Sequence, residues 1–346
     1  MSRFKIKYIS FLILLLVIFL ISGCDSNGNI GGNSTSVSKE NLQISNNTEE
    51  SLKPEENIKS VEESTGKTDI NGPTDKAPVE KKNLSVNGNL KVHFIDVGQA
   101  DSILIQQGSK FMLIDAGNNG DGKLVKNYLL QQGVKSLDYV IGTHPHEDHS
   151  GGLDYIINDF KIGKIYLPKA TSTTKAFGDV VVAIKNKGMK VALPIPGESF
   201  NLGSAKCTIL APNNSKYKDL NNYSVVVKLE FGSNSFLLTG DAEDISESEI
   251  LSSGFNVKAD VLKVGHHGSH SSTTVEFLSK VNPKYAVISC ETDNDYGHPS
   301  KETMDKLKNK KITVYRTDEL GTIIATSNGK TITFNTKPGS YKAGTQ

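Results

Sequence analysis

His144, His146, Asp148 and His149 fall in the run Thr143-His-Pro-His-Glu-Asp-His149, three imidazoles and a carboxylate within six positions. Neutral imidazole and carboxylate are ligands that Zn²⁺ and its first-row neighbours accept. The whole chain holds only eight histidines, so this clustering outweighs the competing reading, a polar loop with coincidental histidines. No cysteine stands nearby, which argues against a closed zinc cage of the finger type and for an open, catalytic metal.

Three further signals lie where apolar runs end. Asp115 closes Phe111-Met-Leu-Ile-Asp-Ala-Gly117, Asp241 closes Phe236-Leu-Leu-Thr-Gly-Asp241, and His266 and His267 close Val261-Leu-Lys-Val-Gly-His-His-Gly-Ser269. Charged or polar residues that terminate a strand beside a glycine can reach a shared pocket without being buried unpaired.

The elements that must position these residues follow from the pattern. The runs Val92 to Ile105 and Phe111 to Ile114 flank Gln106-Gln107-Gly108-Ser109 and predict two neighbouring strands joined by a hairpin. A helix is expected over Lys123 to Gln132, stopped by Gly133, and Leu137 to Ile141 is a short strand leading into the histidine run. Helices after Gly152 and over Ala176 to Lys187 alternate with strands at Ile165 to Leu167 and Val191 to Leu193. The second half repeats the style. Strands are expected at Cys207 to Leu210, Ser224 to Phe231, Ser235 to Thr239, Ala259 to Val264, Tyr285 to Ser289, Ile312 to Tyr315, Thr322 to Thr326 and Thr331 to Phe334. Helices are expected at Ser246 to Ser252, Val275 to Val281 and Lys301 to Asn309. Two strand-rich halves with helices imply an α/β fold, a four-layer αβ/βα sandwich whose loops converge on one edge.

Ahead of this lie two segments of another kind. Arg3, Lys5 and Lys7, the apolar run Ile9 to Ile21 and then Ser22-Gly23-Cys24 have the form of a lipoprotein signal peptide, residues 1–24, whose Cys24 becomes the lipidated N-terminus. A transmembrane anchor is the alternative, but the run is shorter than the roughly 20 apolar residues a span needs. Residues 25–82 carry eleven Asp and Glu against seven Lys with hardly an aromatic, a composition that predicts a disordered tether. Residues 83–346 are then one folded hydrolase domain. Cys207 and Cys290 are the cysteines left in it, too few for a disulfide framework, and the sequence does not say whether they pair.

Seven ordered stretches resemble a known family: Asp96-Val-Gly-Gln-Ala-Asp101, Leu113-Ile-Asp-Ala-Gly117, Thr143-His-Pro-His-Glu-Asp-His-Ser-Gly-Gly152, Asn221-Asn-Tyr-Ser224, Leu238-Thr-Gly-Asp-Ala-Glu243, His266-His-Gly-Ser269 and Tyr296-Gly-His-Pro-Ser300. Over residues 90 to 335 the chain is similar to metallo-β-lactamase-fold hydrolases, of the branch related to the C-terminal domain of the competence protein ComEC. The resemblance implies that His144 and His146 hold one metal, that Asp148 and His149 hold a second, and that Asp241 bridges the two. It also implies that one of His266 and His267 completes the second site, and His266, which follows the strand directly, is the preferred one. Asp115 is expected behind the ligands, with Gln99 and Asp101 near the site; such partners fix imidazole tautomer and orientation. The wider family supplies another histidine before the bridging aspartate, yet positions 150 to 240 contain none. Asn222, Ser224 or water is left to fill that place with oxygen, which admits Mn²⁺ beside Zn²⁺.

A metal pair of this kind makes hydroxide available at neutral pH and steadies both oxygens of an in-line displacement, so hydrolysis of a phosphodiester is the expected reaction. Asp148 is placed at its centre. Ser269 or His298 is expected to add a hydrogen bond or a proton, with His298 as the leaving-group acid; His270 and His93 read as surface and strand residues. The resemblance points to DNA as substrate and partner, but the folded part, with 29 Lys and Arg against 27 Asp and Glu, lacks a strongly basic character. Lys306 to Lys311 reads as a solvated helix face rather than a phosphate contact. Tryptophan is absent, leaving Tyr and Phe for base stacking. Three functions fit: a membrane-anchored extracellular nuclease or phosphodiesterase, a hydrolase of another ester, lactone or lactam, and a DNA-binding module of an uptake machine with little turnover. The lactam reading is disfavoured by the lost histidine and the competence-type signature.

Overall fold

A computed structural model describes residues 86–345. The leader, the tether, Cys24 and the domain boundary at 83 lie outside these residues.

The first sheet takes β1 (Leu90–Phe94), β2 (Ile103–Gln107), β3 (Lys110–Ile114), β4 (Ser136–Ile141), β5 (Lys161–Tyr166) and β6 (Val191–Ala192). The second takes β7 (Ser199–Leu202), β8 (Ala205–Ala211), β9 (Val226–Phe231), β10 (Asn234–Leu238), β11 (Val261–Lys263), β12 (Tyr285–Ile288) and β13 (Thr313–Arg316). The chain then returns to the first sheet with β14 (Ile323–Ser327) and β15 (Ile332–Phe334). The orders are β15-β14-β1-β2-β3-β4-β5-β6 and β13-β12-β11-β10-β9-β8-β7.

Successive side chains of a strand point to opposite faces, so a strand apolar on both faces requires cover on both. That is how the layers form. Val92, Phe94, Ile105, Met112 and Ile114 of the first sheet meet Ile209, Val227, Leu229, Phe231 and Phe236 of the second in a central core. Leu104, Leu113 and Val140 face outward onto α1 (Gly122–Gln131), α3 (Leu153–Asp159) and α4 (Lys175–Asn186) through Val125, Leu129, Ile156 and Val180; the one-turn α2 (Glu147–Ser150) precedes α3 in the chain. Leu237, Leu262 and Ala286 pack onto α5 (Asp244–Ser252), α6 (Val275–Val281) and α7 (Lys301–Asn309) through Ile250, Phe277, Leu278 and Leu307. Phe94, Phe231 and Phe236 are fully buried, each worth roughly 1.5–3 kcal/mol of transfer free energy. The expected αβ/βα sandwich is the observed one.

One expectation needs correction, and one strand went unpredicted. The run Val92 to Ile105 is two antiparallel strands, with Leu90 opposite Gln107 and Phe94 opposite Ile103. The chain reverses in the loop between, where Gly98 takes a positive φ of 70°, a conformation glycine adopts freely. The edge strand β7 had no sequence signal, because Ser199-Phe-Asn-Leu202 is half exposed and too short to show alternation.

The site lies where the sheets' parallel strands end. β3 runs parallel to β4 and β10 parallel to β11, so Asp115, the histidine run, Asp241 and the His266-His267 pair all leave C-terminal strand ends on one edge.

Candidate metal centre

His144, His149, His266 and His267 are each held through Nδ1, leaving Nε2 turned inward. His149 donates from Nδ1 to Asp115 Oδ2 at 2.9 Å, and His267 donates from Nδ1 to the Ser289 carbonyl at 2.9 Å. Thr143 Oγ1 donates to Asp115 Oδ2 at 2.7 Å and so can accept from His144 Nδ1 at 3.1 Å. Asp115 also accepts from the Thr143 backbone N–H at 2.8 Å, which ties the start of the histidine run to the end of β3. The inward nitrogens meet at one carboxylate oxygen. Asp241 Oδ2 lies 3.1 Å from His149 Nε2, 3.6 Å from His267 Nε2, 3.7 Å from His266 Nε2 and 4.0 Å from His144 Nε2. His146 faces His144 through Nδ1, at 3.0 Å from His144 Nε2.

Asp148, His149, Asp241 and His267 offer ligand atoms that all lie within 4.8 Å of one another. It is His267, rather than the preferred His266, that joins this group. Its Nε2 is 3.3 Å from Asp148 Oδ2, whereas His266 turns Nδ1 to Glu243 Oε1 at 3.2 Å. Adjacency in sequence could not separate the two; the Ser289 carbonyl behind one ring and Glu243 behind the other do.

The chemistry of the donor set fits a divalent cation. His149 Nε2, His267 Nε2 and Asp241 Oδ1 are buried without a hydrogen-bond partner, a cost a protein tolerates where an ion satisfies the lone pairs. Burial opposes ionisation of Asp241, but His149 and His267 outweigh it and hold the carboxyl well below the usual range. Asp148 is depressed the same way, burial opposing and His149 and His267 prevailing. Burial would lower His149 too, yet Asp241, Asp148 and Asp115 push it well above the ordinary imidazole value. His144 goes the other way, well below that value, through burial and then the repulsion of His149. The carboxylates thus demand positive charge at this spot, and a divalent cation would supply it in place of the proton.

The expected oxygen ligands are otherwise engaged. Asn222 Oδ1 accepts from the Ser246 N–H at 3.1 Å, and Ser224 Oγ accepts from the Asp241 N–H at 3.0 Å while lying 3.3 Å from His144 Nδ1. Both support the ligands from behind. Ser269 does not line the cleft; its hydroxyl pairs with Ser271 Oγ at 2.9 Å. Asp101 is buried against Lys263 Nζ at 2.9 Å, with His267 Nδ1 3.8 Å away. Gln99 accepts from the Glu291 N–H at 3.1 Å and places its amide nitrogen 3.4 Å from His298 Nδ1.

A cleft of about 320 Å³ is lined by Gln99, His146, Asp148, Asp241, His266 and His298, together with Glu147, His267 and Tyr296. His298 therefore reaches the site, but burial and then the neighbouring His266 and His267 push its imidazole down to about 4, so it is neutral at pH 7 rather than a standing acid. His270 is exposed, and His93 is buried in β1 with Nδ1 on the Tyr128 hydroxyl at 2.8 Å. Cys207 and Cys290 are free and buried. Lys306 turns inward to the Ser272 carbonyl at 3.2 Å, while Lys308, Lys310 and Lys311 are exposed. Glu243, Tyr296 and Lys263 were missed as members of the site, although each lies within or beside one of the quoted motifs.

A four-layer sandwich with a His/Asp cluster at one edge of its two sheets defines the class of a metallo-hydrolase. Residues 95–292 match the model of the metallo-beta-lactamase superfamily, and the chain belongs to that superfamily, whose members are generally metal-dependent hydrolases. It is 32% identical over 269 residues to ComE operon protein 3 of Bacillus subtilis (strain 168), covering 72% of this chain and 34% of that one. It is 30% identical over 238 residues to Recombination protein 2 of Haemophilus influenzae, covering 67% and 28%. It is 28% identical over 242 residues to Competence protein ComA of Neisseria gonorrhoeae, covering 66% and 31%. The chain spans about a third of the length of these relatives.

Proposed function

We propose that this chain is a metal-dependent phosphodiesterase that cleaves DNA outside the cytoplasm, held to the membrane by a lipid on Cys24. The observation that carries the hydrolytic reading is the convergence of four imidazole Nε2 atoms within 4.0 Å of one oxygen of Asp241, with Asp148 alongside. His144 and His146 would hold one ion, and Asp148, His149 and His267 the other, with Asp241 between them. Two divalent cations so placed would supply Lewis acidity toward a phosphoryl oxygen and would lower the pKa of water.

The protein's own part is orientation. Asp115, Thr143 and the Ser289 carbonyl keep Nδ1 protonated on His149, His144 and His267, so that each presents a lone pair from Nε2. His298, neutral and steadied by Gln99, can donate a hydrogen bond to a leaving oxygen. A phosphate anion bound beside it would raise its proton affinity and allow transfer. Tyr296, 67% exposed at the cleft and stacked on the His298 ring at 5.7 Å, offers a face to a nucleobase. The named competence protein among the relatives supports DNA as substrate. The choice between Zn²⁺ and Mn²⁺ belongs to the same test.

Full-length protein loaded with Zn²⁺ or Mn²⁺ is incubated with single- and double-stranded DNA, a nitrophenyl phosphodiester and a chromogenic lactam. Cleavage of DNA and of the diester, with no lactam turnover, is the expected result. Lactam turnover alone would replace it with the second reading, and DNA binding without cleavage by either ion would favour an uptake module.

A further inference from the structure

We propose that His266 supplies the third nitrogen ligand of the first metal, the one held by His144 and His146, with Glu243 as the carboxylate that orients it. The inference rests on the dinuclear reading above and answers the deficit noted there: positions 150 to 240 hold no histidine, and Asn222 and Ser224 spend their oxygens on backbone N–H groups.

Three observations converge on His266. The first is backbone geometry. His266 and His267 both lie in the left-handed region, at φ 48° and ψ 51° and at φ 52° and ψ 22°. For residues other than glycine this conformation is strained. In an extended strand, neighbours point to opposite faces; here two successive left-handed residues bring both imidazoles into the same cleft. A site needing only one of them would not require the second to share that strain.

The second is tautomer control. His266 donates from Nδ1 to Glu243 Oε1 at 3.2 Å, the same arrangement that Asp115 imposes on His149 and the Ser289 carbonyl on His267. Glu243 is itself fixed: it accepts from Ser271 Oγ at 2.8 Å and from Asn221 and Asn222 at 3.3 and 3.4 Å. The carboxylate that holds His266 is therefore held in turn, as the outer partners of metal-bound histidines commonly are.

The third is reach. His266 Nε2 is 3.7 Å from Asp241 Oδ2, inside the roughly 4 Å that separates two donors sharing one first-row ion at 2.0–2.2 Å from each. Asp148, His149 and His267 already group with Asp241 within 4.8 Å without His266, so the nitrogen of His266 is left to the ion that His144 and His146 would hold. The two histidines of His266-His267 thus divide between the two ions, one each.

The test is metal stoichiometry, read by elemental analysis and titration calorimetry on the full chain, with Mn²⁺ electron paramagnetic resonance for the coupling between ions. Wild type should bind two ions. His266→Gly, which relaxes the left-handed backbone and so preserves the fold, should bind one ion tightly and lose the spin coupling. His266→Asn, another residue tolerant of that conformation, should weaken the first ion without abolishing it. Glu243→Gln should weaken the first ion about 10- to 100-fold and leave the second unchanged. His267→Gly should lose the other ion. If His266→Gly keeps two ions at wild-type affinity, His266 is not a ligand and the inference is overturned while the dinuclear reading stands. A wild-type chain that binds no ion, or one, overturns both.

Discussion

Asp241 and His298 share a cleft, yet the geometry gives them separate tasks. Asp241 touches the inward nitrogens of His144, His149, His266 and His267, whereas His298 lies on another loop beside Gln99 and Tyr296. Asp241→Ala should therefore remove both ions or their coupling, measured by elemental analysis and paramagnetic resonance. His298→Ala should keep metal and lose rate. A positioned proton donor is typically worth 10²- to 10⁴-fold, less where the leaving group is already a weak base such as nitrophenolate. The His298 defect is thus expected to be larger on DNA than on a nitrophenyl phosphodiester; equal slowing of both substrates, or loss of metal, would assign His298 to packing or ligation instead.

At the scale of elements, the histidine run works because its backbone is pinned close to its neighbours. Gly151 and Gly152 follow the run, and a Cβ on Gly152 would sit 2.3 Å from the Ala116 carbonyl oxygen; on Gly151 it would sit 2.3 Å from the Asn119 nitrogen. Backbone atoms cannot yield as a flexible side chain can. The close approach lets the His149 carbonyl accept from the Ala116 N–H at 2.8 Å, which docks α2 onto the loop after β3. Gly152→Ala should push α2 off that loop, costing about 1–3 kcal/mol or more. It should also weaken the ion held by Asp148 and His149, with thermal unfolding and metal titration as the paired measurements. A variant as stable and as metal-competent as wild type would show that the glycines are there for another reason. The split of Val92 to Ile105 into β1 and β2 is a related lesson. Apolar runs report burial, while a reversal inside one is marked only by Asp96-Val-Gly98.

Among the described residues, three clusters of buried side chains are built from residues 90 to 325. Residues 83–346 should accordingly fold and bind metal without the preceding chain, checked by circular dichroism and elemental analysis; an unfolded or metal-free fragment would move the boundary. The membrane reading is tested separately. Cys24→Ala should abolish incorporation of a fatty-acid probe and shift the protein out of the membrane fraction, and equal labelling of wild type and variant would remove the lipid anchor from the account.

How far the residues alone carried the molecule differs between its parts. The sandwich and the residue types of the site were legible because alternation of apolar positions is imposed by burial, and because a metal needs lone pairs that only a few side chains provide. His144, His146, Asp148, His149, Asp115 and Asp241 could be picked out for that reason. The division of labour between His266 and His267 was not legible, since it depends on two left-handed residues and on which acceptor stands behind each ring, Glu243 from the β10–α5 connection or the Ser289 carbonyl after β12. The same holds for Ser269, Asn222 and Ser224, whose hydroxyl and amide groups looked available along the chain and are consumed by partners that folding brings to them. Sequence determined which atoms could bind a metal; tertiary structure decided which remain free to do so, because every other hydrogen-bond demand in a buried site must be met first.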